Sequence, residues 1–113
     1  MESQLELNKE RQALLEKFRQ ALPDLRTTLS ATGDVVYREG ALSTKIKQLI
    51  ALAISIRAGF TFPILAHTMR ALEAGANTEE VLETLSVGVA MSGTTAVGES
   101  LRVIKLLDEL GKL

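Results

Sequence analysis

Between Thr44 and Ala58 the chain reads T-K-I-K-Q-L-I-A-L-A-I-S-I-R-A, and after Lys47 it is apolar on nearly every side of a helical wheel. A helix of that kind needs neighbours all round, so the segment predicts a central, buried helix with other elements packed about it. Ser43 is suited to cap its start, and Gly59 to stop it in the left-handed conformation.

Similar punctuation organises the rest of the chain. An amphipathic repeat from about Leu5 to Leu22 sets Leu7, Leu14, Phe18, Ala21 and Leu22 against a polar face of Glu10, Lys17 and Gln20. Pro23 ends that helix or opens the next. Leu25, Leu29, Val35, Val36 and Tyr37 then fit one helix or two short ones, with Gly33 and β-branched residues weakening the middle and Gly40 closing it. Thr61 is expected to cap a fourth helix, with Pro63 tolerated in its first turn and Gly75 beyond its end at Ala74. Thr78 is expected to cap a fifth, with Glu79 and Glu80 at the positive end of its dipole, fading at Ser92-Gly93. Inside it, Ser86 and Gly88 read as close helix packing. A last helix, about Thr95 to Leu110, sets Val97, Leu101, Ile104 and Leu107 on one face and is ended by Gly111. No strand alternation is present. The expectation is an all-α fold, a single-domain multi-helix bundle over residues 1–113.

Apolar residues make up 46% of the chain and aromatics only 4%, so the core must be aliphatic. A domain this small cannot hide that much aliphatic surface alone, which predicts a homo-oligomer with the first and last helices as subunit contacts. The net charge of −1, with no Lys/Arg run, gives no field to gather nucleic acid. The absence of cysteine excludes disulfides, thiolate catalysis and thiolate zinc sites from this chain. A single histidine cannot build a multi-histidine metal centre, and no motif for a cofactor is found, so neither metal nor cofactor is predicted. The charged start does not read as a signal peptide, and the longest uncharged run, Thr84 to Gly98, is too short to span a bilayer. The expectation is a cytoplasmic protein with no membrane partner.

Two polar residues interrupt the apolar third helix. Gln48 and Ser55 are seven residues apart and so share one stripe. The reversal at Gly59 folds the fourth helix back, and a hairpin of this kind can bring His67, the only histidine, to one cavity with Gln48, walled by Phe60 and Phe62. Two readings stand side by side here. A buried glutamine and a lone histidine can simply satisfy backbone groups and each other. Alternatively, Phe60, Phe62 and Pro63 line an apolar cleft in which His67 acts as a base, with Ser55, Ser92 or Ser100 as a nucleophile.

The stretches G-A-L-S-T-K-I-K-Q-L-I-A-L-A, A-G-x(7)-H and A-L-E-A-G-A-N-T-E-E-V-L-E-T-L, within Gly40 to Leu110, resemble the alkylhydroperoxidase D-like / carboxymuconolactone decarboxylase family. Members with the full redox motif carry C-x-x-C-x-x-x-H, and a glutamate upstream completes a proton relay for an attacking thiol. In this chain the cysteine positions fall on Phe60 and Pro63, and the glutamate position on Gln48; His67 alone matches. The resemblance implies the family's all-α arrangement and assembly into trimers or hexamers. With no thiolate available, peroxidase activity is not carried over. The family's decarboxylase branch also lacks the cysteine pair and acts on a lactone acid, for which Arg57 and Arg70 are candidate carboxylate holders. Replacement of both cysteines and the glutamate together is also what redesign of a pocket would leave. The functional expectation is a redox-inactive or repurposed pocket for a small molecule around His67 and Gln48, with Phe60, Phe62, Pro63 and Ser55 as binding residues. The alternatives are an enzyme, decarboxylase- or hydrolase-like, with His67 as general base, and a structural oligomer without chemistry.

Overall fold

The computed structural model describes residues 1–113 and contains six helices and no strand. They are α1 Gln4–Ala21, α2 Pro23–Tyr37, α3 Thr44–Ala58, α4 Thr61–Glu73, α5 Thr78–Ser92 and α6 Thr94–Glu109. The local chemistry of the ends explains most boundaries. Ser43 Oγ accepts the Ile46 N–H at 3.1 Å and starts α3; Gly59, at φ 71°, stops it. That left-handed conformation strains any residue with a Cβ, so the reversal between α3 and α4 depends on glycine there.

Two starts differ from the sequence expectation. α5 is capped by Asn77, not Thr78. Asn77 Oδ1 accepts the Glu80 N–H at 2.8 Å while Glu80 Oε1 accepts the Asn77 N–H at 3.0 Å, so a reciprocal pair satisfies two donors that one threonine hydroxyl could not. The Thr78 hydroxyl instead donates to the Lys112 carbonyl. α4 begins at Thr61 with Phe60 in the cap position and no side-chain cap. Pro63 sits in the first turn, where its missing N–H removes no helical bond. α2 is one unbroken helix despite Gly33, opened by Pro23 at its first turn.

The core joins Leu49, Leu52 and Ile56 of α3 to Ile64 and Ala71 of α4, Val81 and Leu85 of α5, and Ala96, Val103 and Leu107 of α6. α3 is central, but it is not buried all round. Ile46, Ile50 and Ile54 recur every fourth residue and stay exposed, because five other helices of this length do not enclose it. On α6 the packed stripe is Ala96, Ser100, Val103 and Leu107, which leaves Val97 and Leu101 outside. Gly88 is buried against Ile56, whereas Ser86 is exposed and bonds back to the Glu83 carbonyl.

α1 and α2 stand apart from this core. The only buried residues of α1 are Gln4 and Asn8, both polar, and α2 has none. No helix is long and apolar enough to cross a membrane.

Candidate functional site: the cleft between α1 and α4

The turn at Gly59 brings together two side chains nineteen residues apart in sequence. His67 Nδ1 and Gln48 Oε1 lie 2.7 Å from one another. The carboxamide oxygen of Gln48 can only accept, so Nδ1 carries the proton and donates, leaving Nε2 with the ring's lone pair. Gln48 is 5% exposed, and its helix holds it in place, so the ring orientation is set by a buried partner. The Tyr37 ring lies beside the imidazole, centroids 5.9 Å apart and tilted by 35°.

The electrostatics point the same way. The pKa of His67 is lowered from 6.5 to about 4, first by burial and then by the positive charges of Arg70 and Arg11. Each of these effects penalises the imidazolium, and no carboxylate offsets them. The site therefore holds a neutral imidazole of fixed tautomer at pH 7.

Around this pair opens a cleft with two lobes. One, of about 410 Å³, is lined by Leu14, Leu15 and Phe18 of α1, by Phe62, Pro63 and Ala66 of α4, and by Arg11, His67 and Arg70. The other, of about 650 Å³, is more polar and reaches under α2 to Arg26, Ser30, Asp34 and Tyr37, with Gln48 in its wall. Leu15, Phe18, His67 and Arg70 border both. The apolar lobe thus meets the polar one at the histidine.

The residues singled out in the sequence separate into two groups. His67, Gln48, Phe62, Pro63 and Arg70 border the cleft. Phe60, Ser55 and Arg57 do not. Phe60 is 59% exposed, held by the extended backbone that precedes α4. Ser55 is buried on the same side of α3 as Gln48, but about 10 Å further along the axis, and its hydroxyl donates to the Ala51 carbonyl. Arg57 is exposed at the far end of the same helix. Ser92 and Ser100 have hydroxyls without partners, and neither borders the cleft. No three potential metal-ligating side chains come together.

Sequence reasoning did not place Arg11, Leu15 and Tyr37 here; the first helix, which carries Leu14 and Phe18, was expected as a subunit contact, and those two side chains also line this cleft. The signal available was the apolar face of the first helix. Periodicity identifies such a face but not what it covers.

A sequence model of the carboxymuconolactone decarboxylase family matches residues 23–106. A protein of Paracoccus denitrificans known as uncharacterized protein 4 in the cox locus is 31% identical over 80 residues, 71% of this chain and 72% of the relative. An uncharacterized protein of Cupriavidus necator is 27% identical over 91 residues, 80% of each chain. Among solved structures, the apo form of a carboxymuconolactone decarboxylase family protein from Legionella pneumophila has a TM-score of 0.89 at 28% identity, covering 99% of this chain and 100% of the other.

Proposed function

The chain belongs to the carboxymuconolactone decarboxylase family, and on that premise we propose that it is a member without thiol chemistry, which holds a small, mostly apolar molecule in the α1–α4 cleft beside a neutral His67. The observation that carries this reading is the 2.7 Å contact between His67 Nδ1 and Gln48 Oε1. A glutamate there would accept a proton and favour the imidazolium. Glutamine orients the same ring without charging it. The relay is thereby turned into a fixed wall of a cavity whose volume suits a small ligand.

A second reading, general-base catalysis by His67, draws on the free lone pair at Nε2. Magnitude ranks it below binding. A base works best with a pKa near the working pH, and one lowered to about 4 gains little by taking a proton at pH 7.

The test is an NMR titration of the His67 ring with neutral amphiphiles such as indole and hexan-1-ol. Saturable shifts at His67 and Phe62, lost when Ala66→Trp fills the apolar lobe, are expected. Absence of any shift at His67 up to the solubility limit of both compounds would defeat the reading.

A further inference from the structure

We infer that the polar lobe is a pocket for a phosphomonoester, whose phosphoryl group sits among Arg19, Arg26 and Arg70 and whose apolar body passes His67 into the other lobe. This rests on the reading of the cleft as a small-molecule site and names the ligand's charged end.

Three cations from three helices border the polar lobe: Arg19 of α1, Arg26 of α2 and Arg70 of α4. None of them has a partner. Among the arginines of the chain, only Arg11 and Arg102 make a side-chain hydrogen bond, and only Arg102 forms an ion pair. The chain as a whole has a net charge of −1, so the excess is local to the lobe. Asp34 is the one carboxylate in its lining, and it pairs with none of the three. With His67 neutral, three positive charges against one negative leave two unanswered. Their field is felt beside the lobe, where the charge on Arg11 is disfavoured first by burial and then by Arg70 and Arg19. Ser30 adds a neutral donor. The hydroxyls of Thr27, Thr28 and Thr32 bond back to carbonyls of α2, whereas that of Ser30, which borders the lobe, does not.

The charge balance selects the anion. A phosphomonoester carries about −1.5 to −2 at pH 7 on three terminal oxygens. That answers the two free charges and offers each guanidinium an oxygen of its own. A carboxylate, with a single charge and two oxygens, leaves a cation over.

The other end of the ligand follows from the way the lobes join. Phe18 and His67 border both, and beyond them lie Leu14, Phe62, Pro63 and Ala66. Such walls recover free energy only from a hydrocarbon body. Inorganic phosphate would satisfy the arginines and leave these walls bare.

The experiment titrates the full chain at pH 7 with hexyl phosphate, hexanoate, hexan-1-ol and inorganic phosphate, read by NMR at His67 and at phosphorus. It compares the wild type with Arg19→Gln and Arg26→Gln, and circular dichroism confirms that each variant is folded. Neither arginine borders the apolar lobe, so hexan-1-ol should bind all three proteins alike. Hexyl phosphate should bind the wild type at least about tenfold more tightly than hexanoate does, and either substitution should erase most of that preference. The second ionisation of bound hexyl phosphate should fall below its ordinary pKa of about 6, since the arginines favour the dianion. Arg26 lies on α2, which buries no residue, so its replacement leaves the core intact and carries the test if Arg19→Gln fails to fold. Hexyl phosphate binding no better than hexanoate or hexan-1-ol, or a preference untouched in both variants, overturns the phosphoryl assignment and leaves the cleft reading standing. Inorganic phosphate binding as tightly as hexyl phosphate also overturns it, because the apolar lobe then plays no part. Binding of none of the compounds removes the cleft reading as well.

Discussion

Glu109, the last residue of α6, accepts the backbone N–H of Gln4, the first residue of α1, at 2.7 Å. The same oxygen reaches the Leu5 N–H at 3.4 Å, and the Ser3 hydroxyl donates to the other. A helix start has donors with no partner inside the helix and a positive dipole end, so an acid brought from the opposite end of the chain answers both needs. The Glu109 carboxyl is held below its ordinary pKa, chiefly by the Ser3 hydroxyl and further by the Gln4 and Leu5 amides. Since α1 buries only Gln4 and Asn8, this contact anchors the helix that walls the cleft.

Glu109→Ala should therefore loosen α1 more than the rest of the protein. Amide exchange in α1 is expected to rise while that of α3 and α4 holds, and affinity for a cleft ligand should fall with it. Glu109→Gln, which keeps an acceptor, should do less. The folded pKa lies below the unfolded one, so the contact's contribution is complete above the ordinary carboxylate range and fades as pH falls through the folded value. Uniform exchange across α1 and α3 in Glu109→Ala would contradict this.

His67 should titrate near pH 4 by NMR. Gln48→Glu sets a carboxylate within hydrogen-bonding distance of Nδ1, and should raise the value by about 1–3 units. The folded pKa is below the unfolded one, so the unfolded chain binds the proton more readily. Stability is complete above pH 6.5, falls as pH drops from there to about 4, and is flat in this respect below. A shift of this size on an enclosed ring would be worth about 3 kcal/mol. Solvent screening of the half-buried imidazole reduces that to about 1–2 kcal/mol. Denaturant midpoints of wild type and His67→Ala at pH 7 and pH 4 measure it.

Purified protein should show no peroxide turnover linked to a thiol reductant, since no residue supplies a thiolate. Recovery should require Gln48→Glu, Phe60→Cys and Pro63→Cys together. Wild-type turnover that scales with protein concentration and survives metal removal would contradict this.

Self-association is the expected state in solution. The accessible surface is 6797 Å², against about 6,100 Å² for a compact monomer of this mass. The radius of gyration is 14.2 Å, where about 13.3 Å is usual for this length. Exposed Ile50 and Ile54 on α3, and Val97 and Leu101 on α6, supply apolar surface away from the cleft. Sedimentation should show more than the 12.2 kDa chain at micromolar concentration, and Leu101→Glu or Ile54→Glu should shift the balance towards monomer. A wild-type monomer under those conditions would overturn the expectation.

The helices were legible because their signals are local. Ser43, Gly59 and Gly75 act on bonds within a few residues of themselves, and the 3.6-residue period survives in the sequence. The Gln48–His67 pairing was within reach because a single tight turn separates their helices. Arg11 and Tyr37 were not, since what places them at the cleft is the way α1 and α2 lie over α4, and no local pattern encodes that. Gln4 and Asn8 were hidden for a related reason. Polar residues near a charged start read as solvated until Glu109 and Arg102, more than ninety positions away, are seen beside Gln4.

α2 contributes no side chain to the interior, yet Ser30, Asp34 and Tyr37 from it border the polar lobe. What the chain encloses can therefore be altered without touching what holds it together. A different fifteen-residue helix grafted between Leu22 and Arg38 would leave the α3–α6 core its full set of partners, while changing the chemistry met by anything entering from that side. In this protein, one wall of the polar lobe sits on a segment that the core does not use, while the apolar lobe is built from α1 and α4.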